Sequence, residues 1–347
     1  MQIIIKNLHL LVAASVGVVM HQAAAAVELA PGLELRGYGH VAVRREAISA
    51  ETPAAVEHDV SLLAAVALGE RVRLWAQVAH LSETGRLRLD LMFLDWELSP
   101  QTTVRIGQAR LPVGLYNETR DVQALRASAN LPLLYGGDSA SLDEGFRGVV
   151  VEHRLGSGLL GSLTIEAFAA WAVSPDVKPA ELARLGGGRF SWATPWPALT
   201  VKLSGYSGYL RTAHSGAAGA RPREQALVGS LQYEGRQWSF NAEAARLSSD
   251  DHRQRVAYAE AIRQLSPQWR AFVRAEYVRD EDVSSQEAVR QRKRLAVGAA
   301  WNASEHWGLR VEAARNSGRP EQLPASVTLD TARQRWNDAS VSVNYLF

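Results

Sequence analysis

The feature that most constrains the fold is a two-residue alternation of apolar and polar side chains, which recurs along most of the chain. In RVRLWAQV, residues 71–78, valine, leucine and alanine occupy every second position, and arginine, tryptophan and glutamine occupy the others. Residues 163–171, 269–277 and 307–313 repeat this pattern. Because successive side chains of a strand point to opposite faces of a sheet, the alternation predicts β-strands and excludes amphipathic helices.

The alternating stretches are long for a soluble protein. They last about 10 to 12 residues, roughly twice the usual strand length, and this matches a tilted strand that crosses a bilayer. Tight connections alternate with mostly longer, polar ones, which is typical of outer-membrane barrels. The sequence therefore predicts an all-β fold, a transmembrane antiparallel β-barrel of about 16 strands. The alternative is a periplasmic β-sandwich, whose strands would be shorter and whose inner faces would carry less arginine and glutamate. The predicted strands are 33–45, 58–68, 71–80, 87–98, 102–109, 145–155, 161–172, 186–193, 198–209, 224–234, 237–247, 254–265, 268–279, 291–301, 306–315 and 334–347.

Both ends of the chain are consistent with export to the outer membrane. Residues 1–26 combine Lys6, an apolar stretch too short for a stable membrane span, and a run of small residues. This is the layout of a cleaved secretory signal peptide, with a buried N-terminal helix or a membrane anchor as the alternative. Residues 27–347 would then form a single barrel domain. The final stretch ASVSVNYLF alternates and ends in Phe347, which resembles the signal that the barrel assembly machinery reads.

Composition and motifs argue against several other classes of protein. No apolar run of about 18 residues follows the N-terminal segment, which argues against a helical membrane protein. The chain has no cysteine, so a disulfide scaffold and a cysteine-ligated zinc site are excluded. Its net charge of +2 predicts no general surface for binding nucleic acid. No HExxH, P-loop or GxSxG motif occurs, and we expect no enzyme activity, metal site or cofactor.

One connection differs from all the others. Residues 110–144 do not alternate, and they form the third long connection from the N-terminus. Long loops in compact proteins are usually functional. The apolar residues of this loop need a wall to pack on, and folding into the barrel would bury them and narrow the pore. Capping the barrel from outside, or packing on a neighbouring subunit, is the alternative. The candidates for the constriction are Arg110, Tyr116, Asn117, Glu118, Arg120, Asp121 and Arg126.

A lipid-facing apolar band would place the polar face of each strand in the lumen. Side chains cannot fill a barrel of this size, so the interior would hold water and let small hydrophilic solutes diffuse. Charged lumen residues would set the ion preference of such a pore. For each of them the alternative is a solvated wall residue that pairs with a neighbour. The lumen-facing candidates are Arg36, Arg71, Arg73, Arg105, Arg270, Arg274, Arg292 and Arg310.

The sequence around the long connection resembles that of a known group of proteins. The segments VRIGQARLPVGLYNETRDV, LPLLY and GFRGVVVEH are similar to the phosphate-selective group of trimeric Gram-negative porins and its relatives, over about 50 residues. The resemblance implies an inward-folded third extracellular loop and a homotrimer. The phosphate-selective members carry a dense ladder of arginine and lysine, whereas acidic residues are mixed into this loop. The pattern of the group is matched here by Gly107, Gln108, Arg110, Pro112, Gly114 and Tyr116, and the acidic residues are Glu118, Asp121, Asp138, Asp143 and Glu144.

These observations predict an outer-membrane porin that allows passive diffusion of small hydrophilic solutes or ions, with a mild preference for anions. A substrate-specific channel for an organic anion, phosphate or a hydrophobic compound is the alternative. A barrel enzyme would need a nucleophile, a base and an orienting group near one rim, but the nine histidines are scattered. The expected partners are outer-membrane lipid, lipopolysaccharide and the solutes themselves.

Overall fold

The computed structural model of the protein describes most of the chain. It describes residues 27–47, 54–82, 85–136, 142, 145–173, 180–212, 223–249, 252–282, 290–318 and 334–347. The predicted signal peptide and the acidic residues Asp138, Asp143 and Glu144 lie outside the described residues. Among the described residues, no helix is long and apolar enough to cross a membrane.

Antiparallel strands make up nearly all of the described structure. Each of the long strands pairs with the next along the chain, and the last pairs with the first long strand from Asp338 opposite Glu46 to Leu346 opposite Tyr38. The 16 long strands therefore form a closed barrel, as predicted, and a short strand precedes them in the chain. The strands are β1 Val27–Ala30, β2 Leu33–Glu46, β3 Ala55–Ala67, β4 Val72–Leu81, β5 Arg86–Ser99, β6 Thr102–Arg110, β7 Gly145–Gly158, β8 Gly161–Val173, β9 Ala180–Ala193, β10 Leu199–Thr212, β11 Arg223–Glu234, β12 Trp238–Ser248, β13 His252–Gln264, β14 Trp269–Asp282, β15 Arg290–Asn302, β16 Trp307–Gly318 and β17 Gln334–Leu346.

Two details of the strand prediction were wrong. The short strand β1, which pairs with the beginning of β2, was not predicted. Strand β9 begins at Ala180 and not at residue 186, so part of a predicted connection is strand. The alternation is hidden there by the glycine run that includes Gly187. A Cβ atom at Gly187 would lie 2.5 Å from the Phe168 ring and 2.3 Å from the carbonyl oxygen of Gly205, so the ring of the neighbouring strand occupies the space of the missing side chain.

The two faces of the barrel wall differ in chemistry. On β14 the side chain of Val273 is 43% exposed, whereas that of Arg274 is 0% exposed. The same division runs along the other strands: the outer face is exposed and apolar, and the inner face is buried and rich in polar residues. An apolar exposed band with a polar interior is the arrangement of a membrane-spanning barrel.

Aromatic side chains flank the apolar band at the end of the barrel with the tight turns. The Trp269 and Trp301 rings stack with their centroids 5.8 Å apart, and the Trp307 and Tyr345 rings lie 4.6 Å apart. Such residues favour the interface between lipid and water because one part of the ring system is apolar and the other polar.

The last residue packs against the seam where the barrel closes. Phe347 and Gly37 exchange two backbone hydrogen bonds of 2.9 Å. The Phe347 ring covers Gly37, where an added Cβ atom would lie 2.1 Å from it. The seam therefore needs a residue without a side chain at this position of β2.

Candidate functional site: the long loop and the facing wall

Two glycines shape the way into the long loop. Gly107 in β6 has φ +136°, and a Cβ atom there would lie 2.3 Å from the carbonyl oxygen of Met92. Gly114 has φ +72°, and a Cβ atom there would lie 2.0 Å from the Tyr135 hydroxyl. Residues other than glycine rarely adopt either of these backbone conformations. Both glycines of the sequence pattern are therefore required by backbone geometry and by close contacts.

The apolar residues of the loop pack on the barrel wall. Leu111, Val113, Leu134 and Tyr135 are fully buried. Removing such side chains from water stabilises the packed loop by about 1.5–3 kcal/mol each. They share one core cluster with strand residues that include Leu63, Trp75, Phe93, Phe146 and Phe168.

The loop also holds its own shape with polar contacts. It contains two single turns of 3-10 helix, Asn117–Thr119 and Gln123–Leu125. Asn117 is buried and donates from Nδ2 to the carbonyl oxygen of Leu111 at 3.0 Å. Arg120 donates to the carbonyl oxygen of Tyr135 at 2.6 Å. Among the constriction candidates, Asn117 and Arg120 therefore link parts of the loop to one another.

A buried carboxylate of β12 accepts four hydrogen bonds, two of which come from the loop and anchor it. Glu243 accepts hydrogen bonds from the backbone N–H of Leu115 at 2.9 Å and from the Tyr135 hydroxyl at 2.5 Å. The hydroxyls of Ser230 and Tyr258 donate to the same carboxylate, at 2.5 and 2.7 Å. Burial, together with the neighbouring Glu243, raises the pKa of Tyr135 well above its ordinary value.

The next strand receives the side chain of Tyr116. Its hydroxyl donates to Glu260 of β13 at 2.9 Å and accepts from Nδ2 of Asn241 at 2.8 Å. Burial, followed by the charge of Glu260, raises the pKa of Tyr116 well above its ordinary value. This phenol is therefore a neutral hydrogen-bond donor at neutral pH.

Two further carboxylates bind the second half of the loop. Glu276 of β14 accepts from the backbone N–H of Leu133 at 2.6 Å, and Glu312 of β16 accepts from that of Asn130 at 3.1 Å. The Asn130 side chain also donates to Ser340 of β17 at 3.0 Å. The loop that follows β6 is therefore hydrogen-bonded to strands far along the chain.

Two buried arginines neutralise three of these carboxylates. Arg274 contacts Glu260 at 3.2 Å, Glu276 at 2.9 Å and Glu312 at 3.4 Å. Arg294 contacts Glu276 at 2.8 Å and Glu312 at 2.6 Å. Buried charges are tolerated when they are paired and hydrogen-bonded in this way.

A second group of arginines, one from the loop and two from the same wall, has a different environment. Arg310 donates to the carbonyl oxygens of Arg126 at 2.8 Å and Ala124 at 2.9 Å, and Arg270 donates to that of Arg126 at 3.3 Å. Within the part of the chain that the structure describes, Arg126, Arg270 and Arg310 make no ion pair with a carboxylate, and we call them the arginine triad. Burial lowers the pKa of Arg126 to about 10, so its guanidinium is still charged at neutral pH.

The other constriction candidates form ion pairs with the opposite part of the wall. Arg110 contacts Asp90 of β5 at 2.5 Å and also pairs with Asp121 of the loop. Glu118 contacts Arg189 of β9 at 2.5 Å. These pairs hold the first half of the loop against β5 and β9.

Three other predicted lumen residues lie on the inner face with polar partners. Arg105 contacts Asp95 at 2.8 Å, and Arg36 contacts Glu34 at 3.0 Å. Arg292 donates to the side-chain oxygen of Asn316 at 3.1 Å.

Arg71 and Arg73 lie at the mouth with the tight turns. Arg73 is exposed and shares a face of β4 with Trp75, whose ring stacks on Phe93. Arg71 departs from the prediction because it precedes β4, in the turn after β3, where its side chain is exposed. The alternating pattern includes this turn residue, so the sequence alone did not reveal where the strand begins.

Sequence reasoning did not identify the residues that anchor the loop. Glu243, Glu260, Glu276 and Glu312 belong to the polar strand faces that the sequence predicts to line the lumen. The one signal in the sequence is their position opposite apolar residues, which marks them as inner-face residues but does not reveal their partners.

Comparison with known proteins shows a likeness of fold. No family model and no curated protein matches the sequence. An anion-selective porin from Comamonas acidovorans has 11% identity and a TM-score of 0.64, over 91% of this chain and 99% of that chain. OmpF of Salmonella typhi in complex with daunomycin has 12% identity and a TM-score of 0.65, over 93% and 100%. A trimer form of OmpT, an outer membrane protein of Vibrio cholerae, has 11% identity and a TM-score of 0.61, over 93% and 100%. The chain thus has the closed, 16-stranded fold of outer-membrane porins.

Proposed function

We propose that the protein is an outer-membrane porin through which small hydrophilic solutes diffuse passively, with a mild preference for anions. The fold supports a channel, because a barrel of this size is wider than its wall side chains can fill. The arginine triad is the observation that carries the anion preference.

The proposal assigns a narrowing role to the long loop, residues 110–144, folded into the barrel. Backbone N–H groups of Leu115, Asn130 and Leu133 reach carboxylates of three different strands, β12, β16 and β14. These carboxylates belong to the polar face of the wall. With the loop in this position, solutes would pass through the space that remains between the loop and the barrel wall.

The arginine triad would set the sign of the ion preference. Its guanidinium groups donate to backbone carbonyl oxygens, and none of them forms an ion pair with a carboxylate of the described residues. A charge in a narrow pore acts strongly on passing ions because the walls have a low dielectric constant. Arg274 and Arg294 neutralise Glu260, Glu276 and Glu312. The net effect near the loop is therefore attraction of anions.

Recording from refolded protein in a planar lipid bilayer tests the channel itself. We expect stepwise conductance increases, and under a potassium chloride gradient a reversal potential displaced toward that of chloride. Heat-sensitive gel migration shows whether the protein has folded. If folded protein gives no conductance, the proposal is refuted.

A disulfide tests the position of the loop. The chain has no cysteine, so Asn130→Cys with Ser340→Cys introduces the only two thiols, at side chains 3.0 Å apart. We expect oxidation to join the loop to β17 without abolishing conductance. As a matched control, Asn130→Cys with Ser99→Cys, which lies at the tight-turn end of β5, should stay reduced. If both pairs of cysteines form a disulfide to the same extent, or neither does, the loop does not lie next to β17.

The alternative is a channel with a binding site for one class of anion. The arginine triad favours this alternative, because the hydrogen-bond donors of a planar guanidinium group match the geometry of carboxylate and phosphate groups. Such a channel would show conductance that saturates as the concentration of phosphate or an organic anion rises. A linear rise with each salt would favour the general porin.

The proposal extends to assembly. We propose a homotrimer, which accords with the trimer form of OmpT, and outer-membrane lipid, lipopolysaccharide and the barrel assembly machinery as partners, the last through the strand that ends in Phe347. A trimer would migrate as a large species on an unboiled gel and dissociate on heating.

A further inference from the structure

The outer face of the barrel carries one amphipathic groove. It is a cavity of about 550 Å³ across strands β14 to β17. Ala275 and Leu295 provide an apolar floor, and Leu295 is 53% exposed. Lys293, Arg315 and Arg335 line the same cavity, and each of these three side chains is exposed. A basic rim beside an apolar floor suits a ligand with both an anionic and an apolar part.

The strand register brings the three cations together. Lys293 lies opposite Ser317, and Ser317 lies opposite Arg335 on its other side. Arg315 is two residues before Ser317 on the same face of β16, opposite Leu295. Because neighbouring strands are about 4.8 Å apart, long side chains from these positions can converge on one small anionic group.

No carboxylate among the described residues neutralises these cations. In the described parts of β14 to β17 and of the other strands, Lys293, Arg315 and Arg335 form no ion pair. Like charges that converge on one face of a sheet repel one another. An external anion would relieve that repulsion.

The groove lies at the boundary of the apolar band. Strand β15 begins at Arg290 and β17 at Gln334, at the end of the barrel opposite the tight turns. In outer-membrane barrels this end faces the cell surface. Further along β15, Leu295 and Val297 belong to the apolar band and are about half exposed. The cations therefore lie at the height of lipid headgroups.

A row of arginines continues this basic belt around the barrel. Arg246 of β12 lies directly opposite Arg255 of β13, which lies directly opposite Arg279 of β14. They are also on the outer face near the same end. Arg279 differs from the groove residues because it contacts Glu281 at 2.6 Å. Within the described residues, the belt is therefore neutralised at Arg279 but not at the groove.

We propose that the groove binds a phosphorylated lipid of the outer leaflet. Its phosphate would lie among Lys293, Arg315 and Arg335, and an acyl chain would lie along Ala275 and Leu295. This inference rests on the placement of the barrel in the outer membrane, which is part of the proposed function, but it does not depend on the passage of solutes through the pore.

Native mass spectrometry of the folded, full-length protein in detergent tests the site. The probes are phosphatidic acid and diacylglycerol with the same acyl chains. We expect retention of phosphatidic acid and little retention of diacylglycerol. Equal retention of the two lipids would overturn the proposal, and this comparison needs no variant.

Charge removal tests the residues. The double variant Lys293→Gln/Arg315→Gln should weaken binding of phosphatidic acid about tenfold, since each cation near an anionic lipid contributes to binding. The matched control is Arg236→Gln/Arg263→Gln, which removes the same charge from exposed positions at the opposite end of the barrel. We expect the control to bind like the unchanged protein. Equal losses in the two variants would assign the effect to overall charge and overturn the site.

A third arm separates a lipid from a free anion. The variant Leu295→Ser should reduce lipid retention, and millimolar inorganic phosphate should compete only weakly. Full displacement by inorganic phosphate, with no effect of Leu295→Ser, would identify a free-anion site and contradict a lipid site. Bilayer recording of the same samples keeps the two proposals distinct, because lipid binding without conductance would refute only the porin.

Discussion

Arg270 and Arg274 lie four residues apart on the inner face of β14, but they have opposite surroundings. Arg274 is fully buried and contacts three carboxylates, those of Glu260, Glu276 and Glu312. Arg270 donates instead to the backbone carbonyl oxygen of Arg126. The same residue type on one strand thus occurs once in a network of ion pairs and once in a group that forms no ion pair with the described residues.

The difference separates the two tasks that charges perform in this barrel. Charges that are paired hold the wall and the loop together, because removing one partner leaves the other buried without compensation. Charges that lack a carboxylate partner keep their field, which acts on ions nearby. We therefore expect substitutions of Arg274 to affect stability and substitutions of the arginine triad to affect ion preference.

The largest expected effect is the loss of Arg274. Arg274→Met leaves Glu260, Glu276 and Glu312 with less positive charge, and breaking buried pairs of this kind costs about 3–5 kcal/mol. We expect a marked fall in the urea concentration at which the heat-sensitive gel band of the folded protein disappears.

Arg270→Met is the matched control for that substitution. It removes the same charge from the same strand but leaves no carboxylate without its partner, so its urea midpoint should change little. Similar midpoints for the two variants would remove the distinction between paired and unpaired arginines.

A smaller effect is expected from the carboxylate that anchors the loop without any arginine. Glu243→Gln weakens the contacts with Leu115 and Tyr135, and the loss of hydrogen bonds to a charged group costs about 1.5–3 kcal/mol. We expect a larger or noisier single-channel conductance, because the loop would leave the wall more often. Glu97→Gln, an equal charge change at an exposed position of β5, serves as the control, and conductance that is the same in both variants would argue against anchoring by Glu243.

The smallest effect concerns alkaline pH. The docked loop raises the pKa of Tyr116 and Tyr135, whereas in a released loop these phenols would ionise near pH 10. The stability of docking is therefore fully present below about pH 10 and is lost as the pH rises further, by up to roughly 1.4 kcal/mol per pH unit for each phenol. Conductance should stay constant between about pH 7 and 9 and increase toward pH 11. The same rise in the variant Tyr116→Phe/Tyr135→Phe would exclude these phenols as its cause.

The sequence predicted the barrel because strand faces follow a local rule. The period of two identified every long strand and placed Arg270, Arg274 and Arg310 on the polar face, as the structure has them. The prediction was wrong in the glycine run around Gly187, because glycines have no side chains and therefore show no alternation of apolar and polar residues.

The partners of the polar residues could not be predicted in the same way. Arg310 and Glu312 are alternate residues of β16, yet Arg310 meets carbonyl oxygens of the loop and Glu312 meets Arg274 and Arg294. This choice depends on the strand register and on the path of the loop across the barrel. Neither is encoded within a short window of sequence.

The reversal potential of a triad variant tests the central claim most directly. The measurement compares the unchanged protein with Arg126→Gln/Arg270→Gln/Arg310→Gln in planar bilayers under a potassium chloride gradient. Arg236→Gln/Arg253→Gln/Arg263→Gln removes three exposed cations elsewhere and is the control. We predict that the triad variant shifts toward cations, with the ratio of chloride to potassium permeability falling roughly threefold or more, while the control keeps the original potential. The same potential in all three proteins would contradict the account.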